Sequence, residues 1–142
     1  MKNAGQYVTL EIVPLKTKRW NDPTERGDGF RLLVCRHRPR GLAKADERWD
    51  EWWSDLGPSK PLLDAFHGKG RADGPIPWSE YRSSYLEEMA QPRARFRIRS
   101  LADRLAKGET ITLLCSSACT QPERCHRTVL AGLLTKLARL EP

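Results

Sequence analysis

The sequence contains no long apolar segment. No run of apolar residues approaches the roughly 18 that a helix needs to cross a bilayer, and residues 1–6 lack the apolar centre of a signal peptide. We therefore expect a cytosolic protein that has no contact with a membrane. The 142 residues fit a single domain, residues 1–142, with one hydrophobic core.

Acidic residues are in the minority. The chain has 18 Asp and Glu against 25 Lys and Arg, a net charge of +7. This surplus favours anionic partners, either a small phosphate-like ligand or a nucleic acid. A surface charge that serves only solubility explains it equally well, so both interpretations stay open.

A disulfide framework is not expected either. The chain has four cysteines, and in a protein without an export signal these are typically reduced thiols. Such thiols serve as core residues, as nucleophiles or as metal ligands. Their position in the fold decides among these roles.

Two short apolar runs predict the centre of a parallel sheet. Residues 30–35 and 110–115 are almost continuously apolar, which is typical of strands buried on both faces. Residues 7–13 alternate between apolar and polar side chains and predict a half-buried strand near the N-terminus, antiparallel or at an edge. The polar residues 16–29 predict a loop.

Helical periodicity occupies much of the remaining chain. Residues 46–56 place Trp49, Trp52 and Trp53 on one helical face, where we expect them in the core rather than stacked on nucleic-acid bases. A short helix follows Ser59, which is its predicted N-terminal cap. Further helices are predicted at 78–89, at 92–106 and in the leucine-rich C-terminal segment. The fold class is therefore α/β with a small, mostly parallel sheet.

Two loops leave the carboxyl ends of the buried strands, at residues 36–41 and 116–127. Ligands of open α/β sheets bind at such ends. Arginine binds carboxylates and phosphates through a two-pronged contact. The predicted anion-binding residues at this edge are Arg36, Arg38, Arg40 and Arg127.

The second loop contains the candidate catalytic residues. Residues 120–123, Thr-Gln-Pro-Glu, fit a capping box that would begin the last helix. A thiol beside a helix N-terminus and basic residues is expected to have a lowered pKa, as a nucleophile requires. Cys119 and Cys125 are the candidate nucleophiles, and His126 is the candidate base or orienting group. Cys115 is interpreted as a core residue of its strand.

Other interpretations of this loop remain. The strand–Cys119-x4-Arg124–helix arrangement has the length of sulfurtransferase loops, but no glycine lies between Gly108 and Gly132 to wrap an anion. The spacing of the cysteines and His126 fits no common zinc pattern, so we predict no metal and no cofactor. Alternatively, Cys125 and His126 only hold the helix on the sheet, or the arginines of 93–99 contact a nucleic-acid backbone.

A combination of residues resembles the YeaO-like family, a bacterial and archaeal domain of unknown function (number 488). The resemblance covers residues 28 to 138. It is carried by residues 32–34, Arg36, 39–42, Trp49, Trp52, 57–59, Leu62, Phe66, Tyr85, 113–115 and 122–127.

The resemblance implies a three-layer α/β fold with a small, mostly parallel sheet, and no established activity. Matching positions that the family tends to keep are Arg36, Pro39, Arg40, Gly41, Pro58, Ser59, Cys115, Cys125, His126 and Arg127. The sequence departs from the family at Cys35, where Asp is frequent, and at His37 and Arg38, where Leu-Trp is frequent. It also differs in length around residues 116–119.

Overall fold

One parallel sheet and four helices make up the protein between residues 13 and 140, the part that the structure, a computed structural model, describes. The strands are β1 (Leu15–Arg19), β2 (Phe30–Leu33), β3 (Glu51–Trp52) and β4 (Ile111–Cys115). The helices are α1 (Lys60–Phe66), α2 (Trp78–Met89), α3 (Pro92–Ala106) and α4 (His126–Leu140). The sheet order is β1-β4-β2-β3, and every pairing among these described strands is parallel. The predicted α/β class is confirmed.

The two strands predicted from apolar runs, β2 and β4, are paired directly at the centre of the sheet. Leu32 aligns with Leu113 and Leu33 with Leu114, and all five residues of β4 are buried. Because the two strands are parallel, their carboxyl ends lie side by side. The loops after Cys35 and Cys115 therefore leave from the same edge.

The predicted loop at 16–29 is wrong in its first part, because β1 occupies residues 15–19 and pairs with β4 along its whole length. Because Lys16 and Lys18 are charged, this strand lacks the apolar pattern from which a strand is predicted. Their ammonium groups lie 3.1 and 2.9 Å from the buried carboxylate of Asp28, which offsets the cost of placing charge on the sheet. The strand predicted at 7–13 lies outside the described residues, except for Val13, which belongs to no strand.

The helix predicted at 46–56 is also wrong. This segment contains 3-10 turns at Lys44–Asp46 and Ser54–Leu56 and the two-residue edge strand β3. Each tryptophan has a separate partner instead of a shared face. Trp49 meets Trp20 edge to face, the indole N–H of Trp52 donates to the Cys35 carbonyl, and Trp53 packs against Phe30. Trp52 is 39% exposed, so it is not in the core.

The remaining predicted helices are confirmed. Ser59 caps α1 by accepting a hydrogen bond from the Leu62 N–H at 3.3 Å, and α3 has the predicted bounds. In α4, Leu130 and Leu134 are fully buried, whereas Leu140 is 71% exposed. Within residues 13–140, no helix combines the length and the apolar character needed to span a bilayer.

The two faces of the sheet are covered differently. Residues of all four helices share one apolar cluster with Leu32, Val34 and Leu113. On the other face, Leu33 and Leu114 belong to a smaller cluster that includes Trp20 and Trp49 from irregular segments. The sheet thus separates a helical layer from a layer of loops. The smaller cluster also contains Cys35, Cys115 and Cys125, so it extends to the carboxyl edge of the sheet.

Candidate functional site

A cavity of about 580 Å³ lies beyond the carboxyl ends of β2 and β4. Its walls include the loops that follow both strands, the start of α4 and residues of α1 and α2. The chemically active residues in these walls are Cys35, Arg36, His37, His67, Tyr81, Cys115, Cys119, Arg124, Cys125 and His126. All four cysteines of the chain thus face one space.

The four cysteines form a cluster of free thiols. The sulfur atoms of Cys115, Cys119 and Cys125 all lie within 4.8 Å of one another, and those of Cys115 and Cys125 are 3.4 Å apart. Cys35, two residues beyond β2, packs in the same buried cluster as Cys115 and Cys125. The four thiols therefore lie in or against one buried cluster.

The thiols of this cluster shift one another's pKa values in opposite directions. Cys119, Cys125 and Cys35 act on Cys115 through side-chain hydrogen bonds, and these lower the pKa of Cys115. The bond to Cys115 in turn raises the pKa of Cys119 to about 11 and raises the pKa values of Cys125 and Cys35, with burial adding to the effect. The sequence predicted the thiolate at Cys119 or Cys125. Among the four thiols, however, the pKa is lowered only at Cys115.

Helix α4 begins later than the sequence predicted. The capping box at 120–123 does not form, since residues Pro122–Arg124 make a separate 3-10 turn without a side-chain cap. Cys125 follows in extended conformation (φ −128°, ψ 140°), and α4 starts at His126. Cys125 therefore directly precedes α4, at the positive end of the helix dipole.

His126 is buried in a fixed orientation. Its Nε2 lies 2.8 Å from the carbonyl oxygen of Val34, which can only accept, so Nε2 carries the proton. The ring meets Tyr85 edge to face at 5.4 Å, and the Tyr85 hydroxyl donates to the carbonyl of Leu56. The role of His126 as base remains a prediction. Its contacts are those of a side chain that joins α4 to β2 and orients the loop between them.

The four arginines predicted to bind an anion lie in different places. Arg36 lines the cavity and donates to the carbonyls of Pro58 and Gly57 at 2.9 and 3.3 Å. Arg38 pairs with Glu47 at 2.8 Å and lies over the ring of Trp49. Arg40 is exposed and, like Arg38, does not line the cavity described here.

The fourth arginine, Arg127, is buried beside the thiols. It is 5% exposed, and its Nε and Nη1 groups have no hydrogen-bond partner. Its positive charge acts to lower the pKa values of Cys35 and Cys119, which Cys115 raises. Buried guanidinium N–H groups without acceptors are costly, so negative charge on the neighbouring cluster stabilises this arrangement.

Sequence reasoning missed several residues of the cavity. Neither His67, at the end of α1, nor His37 was among the predicted site residues; both line the cavity. Tyr81 and Phe66 form a stacked aromatic wall with ring centres 4.0 Å apart. Burial, followed by the nearby cysteines, raises the pKa of Tyr81. No local pattern brings α1 and α2 to the sheet edge, so these residues had no signal in the sequence.

Residues 15–138, which include the sheet, all four helices and the thiol cluster, match the family model described as the active DUF488-N3 subclade. The chain belongs to the YeaO-like DUF488 family. The uncharacterized protein YeaO of Escherichia coli is 39% identical over 123 residues, which cover 87% of this chain and 98% of that protein. Uncharacterized proteins of Mycobacterium bovis and Mycobacterium tuberculosis are each 32% identical over 120 residues, 84% of this chain and 92% of theirs. No solved structure matches the chain.

The resemblance inferred from single residues is thereby confirmed. DUF488 is a domain of unknown function, so membership brings no reaction to this chain. What distinguishes the site is the cysteine cluster itself.

Proposed function

We propose that this DUF488 protein is a thiol-dependent enzyme that acts on a small anionic substrate containing phosphorus or sulfur. One observation carries the proposal: the sulfur atoms of Cys115, Cys119 and Cys125 lie within 4.8 Å of one another in the wall of a cavity large enough for a small ligand. A thiolate is the form of cysteine that attacks electrophiles. The description of the matching subclade as active is consistent with catalysis and names no reaction.

The lining of the cavity supports an anionic substrate. Arg36 and Arg124 line it, together with three histidines, and none of its lining residues in the described chain is acidic. The stacked rings of Phe66 and Tyr81 supply an apolar wall. We therefore expect a substrate with an anionic group and a flat or apolar remainder.

The first chemical step follows from the cluster. The thiolate of Cys115 forms a bond to the electrophilic phosphorus or sulfur atom, and the bond to the leaving group breaks with its electron pair. Cys119, which is neutral because Cys115 raises its pKa to about 11, lies beside the cavity and gives its proton to the leaving group. Cys125 and His126, the other predicted catalytic residues, position Cys115 and the loop between β4 and α4.

The decisive experiment is alkylation of the native protein with iodoacetamide at a series of pH values, with each cysteine followed by mass spectrometry. We expect Cys115 to react with a half-point well below the value of about 8.5 for a free thiol. Wild type and Cys115→Ser are then compared on phosphate monoesters and on sulfur donors such as thiosulfate. Reaction of Cys115 only at or above the free-thiol half-point, or unchanged turnover in Cys115→Ser, would contradict the proposal.

A second candidate function, nucleic-acid binding, is supported by the outer face of α3. Phe96 is 77% exposed there, with Arg95 and Arg99 exposed on either side of it. Arg97 is less available, because it pairs with Asp55 and lies over the ring of Trp53. An exposed aromatic ring between arginines is the arrangement that binds single strands by stacking and by phosphate contacts.

This second function is tested by binding of a single-stranded oligonucleotide at several salt concentrations. We expect affinity to fall as salt rises and to fall again in Phe96→Ala, while Leu140→Ala, at another exposed apolar side chain, leaves it unchanged. Binding that is independent of salt would exclude the phosphate contacts.

A further inference from the structure

Three thiols of the cluster have the separations of ligands around one metal ion. Thiolates at about 2.3 Å from a zinc ion stand about 3.8 Å apart in tetrahedral geometry and about 4.0 Å apart in trigonal geometry. The three sulfur atoms of Cys115, Cys119 and Cys125 are separated by no more than 4.8 Å, and the Cys115–Cys125 distance is 3.4 Å. The required distances lie within this interval, so an ion needs only small side-chain movements to bind all three.

We propose that Cys115, Cys119 and Cys125 form a binding site for one thiophilic d10 metal ion, with Zn²⁺ as the reference ion. Among residues 13–140, this is the group of cysteine, histidine and carboxylate side chains with ligand-like separations. Thiolate sulfur is a soft ligand that favours zinc and monovalent copper over magnesium or calcium. The site is independent of the proposed reaction, because it needs neither a substrate nor turnover.

Each ligand is placed by a different element, and two of the three are held by regular structure. Cys115 is the last residue of the central strand β4, and Cys125 directly precedes α4. Cys119 lies in a turn closed by its own N–H, which donates to the carbonyl of Ser116 at 3.1 Å. The strand end and the helix start fix the positions of two sulfur atoms, and the turn brings the third against them.

The surroundings of the sulfur atoms favour a negatively charged complex. Three thiolates and one divalent cation have a net charge of −1. The buried guanidinium of Arg127, with two N–H groups that lack partners, lies next to the cluster and offsets this charge. Such outer contacts hold ligand sulfur atoms in place and tune the metal.

The three cysteines would leave one of the four coordination positions of a tetrahedral ion without a protein ligand. Cys35 packs in the same cluster as Cys115 but does not belong to the group of three mutually close sulfur atoms. Three protein ligands with one open position are typical of zinc sites that accept water or a small ligand. Because the ion uses the sulfur of Cys115, the ion-bound protein cannot use that sulfur as a nucleophile.

The test begins with metal-free wild-type protein, prepared with a chelator and a reductant. Zn²⁺ is titrated in competition with a chromophoric chelator, and Co²⁺ is added to a second sample as a spectroscopic substitute. We expect one Zn²⁺ per chain and intense sulfur-to-cobalt charge-transfer absorption in the near ultraviolet. Absence of tight Zn²⁺ binding, or cobalt binding without charge-transfer absorption, overturns the proposal.

Two single variants identify the ligands. Cys119→Ser removes the most accessible member of the cluster and is expected to weaken Zn²⁺ binding at least about a hundredfold, the upper end of the loss caused by removing a supporting contact. Cys35→Ser is the matched control, since it removes a thiol that packs in the same cluster as Cys115 but outside the group of three, and it is expected to change affinity only fewfold. An equal loss in both variants overturns the three-ligand set.

A measurement on wild type alone covers the case in which a variant does not fold. Zn²⁺ at saturation is expected to protect Cys115, Cys119 and Cys125 from alkylation, and chelation is expected to restore the reaction. Continued labelling of Cys119 in the presence of bound Zn²⁺ overturns the site. The proposed enzyme is assessed separately, since alkylation of the metal-free protein at Cys115 does not depend on whether Zn²⁺ binds.

Discussion

The sulfur atoms of Cys115 and Cys125 lie 3.4 Å apart although ten positions separate the two residues in the chain. One ends the central strand and the other directly precedes the last helix, so the fold itself holds them in contact. This pair joins the sheet to α4 at the candidate site, and its chemistry is open to direct tests.

Mild oxidation should join this pair first. The sulfur atoms must approach by only about 1.4 Å to reach the length of a disulfide bond, and the thiolate character of Cys115 favours attack on an activated partner. We expect diamide, which accepts the two electrons and two protons, to produce a Cys115–Cys125 disulfide that peptide mapping detects. A predominant disulfide at Cys35 instead would show that the cluster is arranged differently in solution.

Replacement of Cys115 should change the ionisation of Cys119. The bond to Cys115 raises the pKa of Cys119 to about 11, so Cys115→Ser should return it toward the free-thiol value of about 8.5. At pH 8.5 the thiolate fraction of Cys119, and hence its alkylation rate, should rise about a hundredfold. Measured rates that stay equal in wild type and variant would show that Cys115 does not hold the charge.

The buried carboxylate of Asp28 should be a major contributor to stability. It is 1% exposed and pairs with Lys16, Lys18 and Arg31. Asp28→Asn leaves Lys16 and Arg31 without this counter-ion and Lys18 with Glu25 alone, and we expect the free energy of unfolding to fall by about 3–5 kcal/mol in urea titrations. Asp73→Asn, at an exposed position, is the matched control and should have almost no effect.

The contribution of Asp28 should also disappear in acid. Burial alone would raise its pKa, but hydrogen bonds from Lys18, the Glu25 backbone, Lys16 and Arg31 outweigh burial and hold the pKa well below its usual value. A carboxyl whose folded pKa lies below the unfolded value of about 3.9 contributes its full stability above that value. The contribution then falls as the pH drops toward the folded pKa. The difference between wild type and Asp28→Asn should therefore be constant near neutral pH and should shrink in acid.

Gly57 should tolerate no side chain, for reasons of space. A Cβ atom there would lie 2.4 Å from the backbone nitrogen of Arg36 and 2.8 Å from the carbonyl carbon of Cys35. We expect Gly57→Ala to cost about 1–3 kcal/mol and to displace the Arg36 loop, which accelerated alkylation of Cys35 would reveal. Gly132→Ala is the control, because nothing lies within 4 Å of its Cβ position in α4, and it should be neutral or slightly stabilising.

The elements that were predicted correctly are those in which apolar side chains form one continuous run or recur at helical spacing. Strands β2 and β4 are almost continuously apolar because both of their faces are covered, and α3 has apolar residues at helical spacing. Strand β1 was missed because Lys16 and Lys18 point at Asp28 rather than at solvent. The tryptophans of 46–56 have helical spacing for unrelated reasons, since each one packs against a different neighbour.

The candidate site could be predicted in location but not in its internal arrangement. The loops after two parallel strands had to meet at one edge, which placed Arg36 near the loop that carries Cys119 and Cys125. Which sulfur lies at the centre depends on distances across β2, β4 and the start of α4, and no linear pattern contains them. His67 reaches the cavity only because α1 packs beside the edge.

The position of Cys115 also bears on the order in which parts of the protein open. Strand β4 is bonded to β1 on one side and to β2 on the other, so its amides should be among the last to exchange with deuterium. The turn that carries Cys119 is closed by two backbone hydrogen bonds, from Cys119 to Ser116 and from Thr120 to Ala118. An ion bound by both Cys115 and Cys119 would link this turn to β4. Amide exchange in residues 116–121 would then slow, while exchange in the sheet would stay unchanged.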